Sequence, residues 1–168
     1  MVSEPIKAAL QGSPLRLIQT SPMVLSAALA PERILIFFGR ESPWKIIERL
    51  SRTYQNMDWE HVLNAVRAPT VDLLSPTVQV LHGCLPGLSE TKAALAVSRL
   101  GTPSLPESQT LIHAVLMLVS PHKDRFSERT FLRKAFELFA AHKDLDIQLS
   151  QLHSADAVLN AIRAAEFR

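Results

Sequence analysis

The chain of 168 residues contains one cysteine, Cys84, so no disulfide can form within it and the fold must rest on a hydrophobic core. Glycine is scarce, with five in all, and no two or three of them cluster into a loop that wraps phosphate. Nucleotide-binding loops of the P-loop and dinucleotide kinds are therefore excluded. A Gly-x-Ser-x-Gly elbow is also missing, which argues against a serine hydrolase of the usual α/β type. Aromatic residues make up only 6%, so the core is expected to be aliphatic. Neither charge sign dominates: 18 Lys and Arg face 16 Asp and Glu, a net charge of +2. Such a balance gives no reason to expect nucleic acid as a partner. Long apolar runs are absent too. The longest, Ile34–Phe38 and Ala114–Val119, fall far short of the 18 or so residues that read as a membrane span. The first residues lack the basic-then-apolar pattern of a secretory signal. Together these absences lead to the expectation of a cytoplasmic protein without membrane insertion.

What is present is ordinary globular material, 47% apolar and 20% charged. The length suits one domain, and a chain of this size buries roughly 70% of its unfolded surface. Residues 1–23 are mixed in character and interrupted by Pro5, Pro14 and Pro22, which reads as an N-terminal extension before a domain over 24–168. Ile34–Phe38 is a β-branched apolar run closed by Gly39 and predicts a buried strand. Ser42-Pro43 then offers an N-cap with Pro at the first helical position, and Ile46, Ile47, Leu50 and Tyr54 follow at helical spacing. Asp58 caps a second helix, with Trp59, Val62, Leu63 and Val66 on one face. Ala68–Pro76 reads as loop. Val78 and Val80 alternate with Gln79 as a short strand ending at His82, and Gly83, Pro86 and Gly87 mark a turn. Ala93–Leu100 predicts a strand, Gly101–Ser108 a loop, and Leu111–Val119 a strand apolar on both faces. Ser127 is placed as the cap of a helix running to about Ala141, with Phe131, Leu132, Ala135, Phe136 and Phe139 inward. A short helix around Leu145 and Leu149 and a last one capped by Ser154 complete the chain. The expected architecture is a single mixed sheet flanked by helices on both faces, a three-layer α/β/α sandwich.

The six histidines are dispersed, and none pairs at metal-ligand spacing. His82 and Cys84 stand two apart, but two ligands do not make a zinc site, so neither metal nor cofactor is expected. His113 sits inside the best strand and reads as a satisfied, half-buried residue. Arg125, Arg129 and Arg133 recur every four residues with Lys134 beside them, which reads as a solvated helix face, with docking of an acidic partner as the other option. His82 differs from the other histidines. It closes a strand and opens a turn, where a rigid sheet commonly displays reactive side chains. A neutral imidazole there serves as base, ligand or phosphoryl acceptor.

Val80-Leu81-His82-Gly83-Cys84-Leu85-Pro86-Gly87-Leu88 resembles the stretch around the phosphorylated histidine of the IIA domains of the bacterial phosphotransferase system, of the fructose/mannitol and nitrogen-regulatory type. The resemblance extends from Val24 to Glu166. It takes in the segment from Leu25 to Ile34, the helix Trp44–Tyr54, the strands Ala93–Leu100 and Leu111–Val119, and the closing helix Ser154–Ala165. It implies the IIA mannitol-like fold, with His82 as phosphoryl acceptor and Arg67, one residue shifted, as the arginine that offsets phosphoryl charge. It implies no cofactor or metal. The implied partners are a histidine-containing phosphocarrier protein and a permease or regulatory target protein, in sugar uptake or nitrogen regulation. The sequence also departs from the family. The glycine-rich approach to the histidine is replaced by Ala68–Thr77, Leu81 stands where the family has proline, and the family's second active-site histidine aligns with Phe131. Two readings follow: a phosphocarrier acting through His82, and a non-phosphorylatable IIA-like domain that binds and regulates partners. An unrelated α/β domain is the third.

Overall fold

The computed structural model describes residues 23–67, 72–103, 110–122 and 125–168. The expected extension over residues 1–23 lies, but for Met23, outside them. A short helix α1 (Leu25–Ala28) and a single 3-10 turn (Pro31–Arg33) lead into β1 (Ile34–Phe37). Helices α2 (Pro43–Arg52) and α3 (Trp59–Arg67) follow. Next come the strands β2 (Asp72–Ser75), β3 (Val78–Leu85), β4 (Lys92–Pro103) and β5 (Leu111–Pro121), and then the helices α4 (Arg125–Ala141), α5 (Leu145–Ser150) and α6 (Ala155–Glu166).

The strands form one five-stranded sheet in the order β1-β4-β5-β3-β2. β1 is parallel to β4 and β3 to β5, whereas β4 runs antiparallel to β5 and β2 to β3. The sheet is thus mixed, as expected. β5 lies at its centre because almost every residue from Ile112 to Ser120 is buried, and only a strand covered on both faces and both edges can bury them all. Alternation along the strands divides the core into two layers. Val78, Val80, Leu95, Leu116 and Leu118 meet α4, α5 and α6 on one face. Leu81, Leu85, Ala94, Ala96, Met117 and Val119 meet α2 and α3 on the other. Each fully buried aliphatic side chain contributes roughly 1.5–3 kcal/mol, so both layers are needed to hold the sheet.

Local chemistry sets the helix starts. Ser42 Oγ accepts a hydrogen bond from the Lys45 N–H at 3.3 Å, and Ser154 Oγ accepts one from the Ala157 N–H at 3.1 Å. Asp58 Oδ1 accepts from the Glu60 N–H at 3.0 Å, in the first turn of α3. Five expectations change. β4 runs on to Pro103, into the segment read as a loop over Gly101–Ser108, because Thr102 and Pro103 pair with Ile112 and Leu111. The earlier segment read as a loop contains β2, because Asp72 and Leu73 pair with Val80 and Gln79 across a tight turn at Pro76 and Thr77. His82 does not end its strand, since pairing with β5 carries β3 on to Leu85. α4 starts at Arg125, so Ser127 lies inside the helix instead of capping it. Phe136 points outward at 55% exposure while Leu138 fills the inward position, because the face toward the sheet runs through Phe131, Ala135, Leu138 and Phe139. No helix among the described residues is long and apolar enough to cross a membrane.

Candidate functional site

The site grows from the two-residue period of β3. Val78 and Val80 face the α4 side of the sheet. The same parity carries His82 and Cys84 to that side, where the first turn of α4 passes over the strand and presents Glu128. His82 Nδ1 lies 2.5 Å from Glu128 Oε1, and the Cys84 thiol donates to Glu128 Oε2 at 3.2 Å. One carboxylate therefore holds both strand residues. The His82 side chain is 25% exposed and that of Glu128 12%, so the histidine reaches solvent while the carboxylate beneath it is mostly shielded.

An ionised carboxylate only accepts hydrogen bonds, so Nδ1 of His82 carries the proton in this pair and the ring's lone pair sits on Nε2. The carboxylate behind the imidazole also fixes the ring's tautomer and orientation, so Nε2 is the nitrogen that can act as a nucleophile. Cys84 behaves oppositely. Burial pushes its thiol pKa up, and the hydrogen bond to Glu128 and that carboxylate's charge push it further, against a smaller lowering from Arg125. A thiol held protonated in this way is a poor nucleophile, which leaves the imidazole as the reactive group of the trio.

Gly83 stands between the two and faces the other way. A Cβ there would lie 2.4 Å from the Ala65 carbonyl oxygen and 2.7 Å from its carbon, both backbone atoms of α3. The glycine is thus required by the close approach of helix to strand. On the same side, Tyr54 donates its phenol hydrogen to the Met117 carbonyl at 2.9 Å, and burial raises its pKa far above the usual value.

His82 and Cys84, which the sequence singles out, come together, with Glu128 as the group that joins them. Arg67 is the last residue of α3, and its side chain lies outside the described residues. Phe131, the position aligned with a second histidine, is 7% exposed and packs in the core between sheet and helices. Glu128 lies three residues earlier, on the same face of α4 and one turn nearer the strand end, and its carboxylate faces His82. The signal for Glu128 was present in that i, i+3 spacing, but pairing it with His82 needed the packing of α4 on β3. His113 is satisfied as expected: its Nδ1 donates to the Ser98 carbonyl at 2.9 Å, where β4 bulges.

No protein-family model matches the chain, and no curated protein matches it in sequence. Solved structures do. The nitrogen regulatory protein IIA-Ntr of Neisseria meningitidis superposes with a TM-score of 0.70 at 16% identity, covering 82% of this chain and 98% of that one. IIA mannitol of Escherichia coli gives a TM-score of 0.57 at 15% identity, covering 79% and 97%. The fold is that of the IIA domains. A third structure, the Escherichia coli complex of enzyme IIA mannitol with phosphorylated enzyme IIB mannitol, matches with a TM-score of 0.58 at 13% identity over 80% of this chain and 96% of that one. Each of these chains is matched over nearly its whole length, at sequence identities where the fold alone is shared.

Proposed function

We propose that this chain is a IIA-like phosphocarrier in which Nε2 of His82 accepts and passes on a phosphoryl group. The observation that carries the reading is the His82–Glu128 pair, set on β3 of a IIA fold at 2.5 Å with the imidazole partly open to solvent. In the step proposed, the Nε2 lone pair attacks the phosphorus of a donor phosphohistidine. The new N–P bond forms as the donor's N–P bond breaks, and the departing imidazole keeps that electron pair. Glu128 keeps the Nδ1 proton in place, so the ring need not lose a proton as it becomes phosphorylated. The onward transfer reverses these roles. Phosphoryl transfer of this kind depends chiefly on positioning and on charges placed where charge develops. Arg67, at the end of α3, and Arg125, whose charge already acts on Cys84, are the cations proposed to offset the phosphoryl charge.

The partners proposed are a histidine-containing phosphocarrier protein as donor and a permease component or regulatory target as acceptor, in the cytoplasm. The similar IIA mannitol structure in complex with phosphorylated IIB mannitol supports a protein acceptor. The test is incubation of the purified chain with the general phosphotransferase enzymes, phosphoenolpyruvate and magnesium, followed by intact-mass measurement. One added phosphoryl group, labile in mild acid and lost in His82→Ala, is the expected result. A folded protein that gains no mass beside an active control carrier would overturn the reading in favour of a IIA-like domain that binds and regulates partners without carrying phosphate.

A further inference from the structure

A cavity of about 640 Å³ lies on the α2–α3 side of the sheet, away from the face that carries His82. Two loops open it. The Thr53–Asp58 connection between α2 and α3 swings outward at Asn56, whose φ is +62°, the single positive value among described non-glycine residues. The turn after β3 bends away at Gly87, with φ of +85°. Between them Met57, Leu85 and Leu88 form an apolar floor that continues the core. Its volume falls in the range of small-molecule sites, and it sits beside the carboxyl end of a sheet strand, where α/β sheets commonly receive ligands.

The polar groups around that floor differ in how far they are already used. Asp58 is committed: Oδ1 accepts from the Glu60 N–H at 3.0 Å, and Oδ2 stands 3.7 Å from His61 Nδ1. Lys92 is half-buried at the start of β4, and it makes no ion pair among the described residues. Around it the carboxamides of Gln55, Asn56 and Asn64 border the cavity. A second, smaller and more polar cavity of about 140 Å³ shares Gln55, Asn56, Met57 and Lys92 with the first, so the lysine stands between two water-accessible spaces. Two carboxylates border the same spaces, Asp58 on the first cavity and Glu32 on the second, but Asp58 caps the N-terminal end of α3 and Glu32 stands 3.9 Å from Arg33, so the Lys92 ammonium is the group left to hold an anion, while the amides, which both donate and accept, read hydroxyl groups.

We propose that this cavity binds a small hydroxylated organic anion, with Lys92 holding its carboxylate or phosphate and Asn56 and Asn64 holding its hydroxyl groups. The site is independent of phosphoryl transfer at His82, since it lies on the opposite face of β3 and shares no side chain with the His82–Glu128 pair.

The experiment is titration of the isotopically labelled full chain with L-malate and, separately, with glycerol 3-phosphate, read by amide chemical shifts, with sulfate as the ionic control. Saturable shifts confined to residues 53–64 and 85–92, weakened about tenfold in Lys92→Met and about threefold in Asn56→Gly, are expected. Asn56→Gly keeps the left-handed backbone and removes only the amide, so it separates ligand contact from folding. His82→Ala should bind both probes as the parent does. Malate alone binding assigns the lysine to carboxylates, and glycerol 3-phosphate alone assigns it to phosphate monoesters. The proposal is overturned if neither probe shifts these residues by about 10 mM, or if sulfate matches both probes and Lys92→Met changes nothing, which would mean an adventitious ion only.

Discussion

On one side of β3, His82 and Cys84 share the carboxylate of Glu128 and reach toward solvent; on the other, one residue along, Gly83 faces the α3 backbone with no room for a methyl group. The same three-residue segment thus carries adjustable chemistry on one face and rigid packing on the other. The glycine that follows the histidine gives a helix access to the strand, and the helix fixes the strand from behind. With β3 held by β5 along its edge and α3 at its back, the imidazole has a firm base on which one carboxylate can orient it.

Changing the two faces should therefore give effects of different kinds. The largest is expected from Gly83→Ala. The new methyl collides with backbone atoms that cannot rotate away, at an expected cost of about 3 kcal/mol, or a fall in Tm of roughly 6–12 °C, measured by thermal unfolding. If Tm holds, the close packing at Ala65 does not constrain the strand. On the other face, Glu128→Gln should leave Tm within about 2 °C but slow phosphorylation of His82 about tenfold, because the carboxylate's charge behind Nδ1 is gone. An unchanged rate would separate Glu128 from the chemistry and leave it a structural partner of the ring.

The same substitution sharpens the reading of Cys84. Glu128 raises the thiol pKa both by its hydrogen bond and by its charge, and Arg125 lowers it. Removing the carboxylate therefore lowers the pKa and increases the thiolate at a given pH. Iodoacetamide should label Cys84 faster in Glu128→Gln than in the parent at pH 8, and both rates should rise as pH increases. Equal rates would show that the carboxylate does not act on the sulfur. The smallest effect is expected from Cys84→Ser, where a hydroxyl replaces the thiol toward the same carboxylate: less than about 1 kcal/mol in unfolding free energy and little change in phosphorylation.

Much of this molecule is local in origin, and that part was legible in the residue order. The apolar run at Ile34, the two-faced apolar strand at Leu111–Val119 and the Ser42 and Ser154 caps each rest on side chains within a few positions of one another. Period and capping are properties of neighbours, so they survive in a single sequence. The mixed sheet with helices on both faces followed from the order of such pieces, and so did the singling out of His82.

What lay beyond the sequence is what depends on distant pairing. β2 has little strand pattern of its own and exists because β3 offers it a partner. His82 lies inside β3 because Gly83 and Cys84 pair with Val119 and Ser120, some 36 residues on, a contact no local signal announces. Phe136 faces outward because the direction from which α4 meets the sheet, and not its apolarity, decides which stripe is covered. The sequence by itself determined the alternation of Val78 and Val80 that sets His82 on their face, whereas pairing with β5 carried that alternation on to Gly83 and Cys84. Only the tertiary structure decided that Glu128, 46 residues after the histidine, closes that face, because the crossing of α4 over β3 is set by the packing of Phe131, Ala135, Leu138 and Phe139 on the sheet.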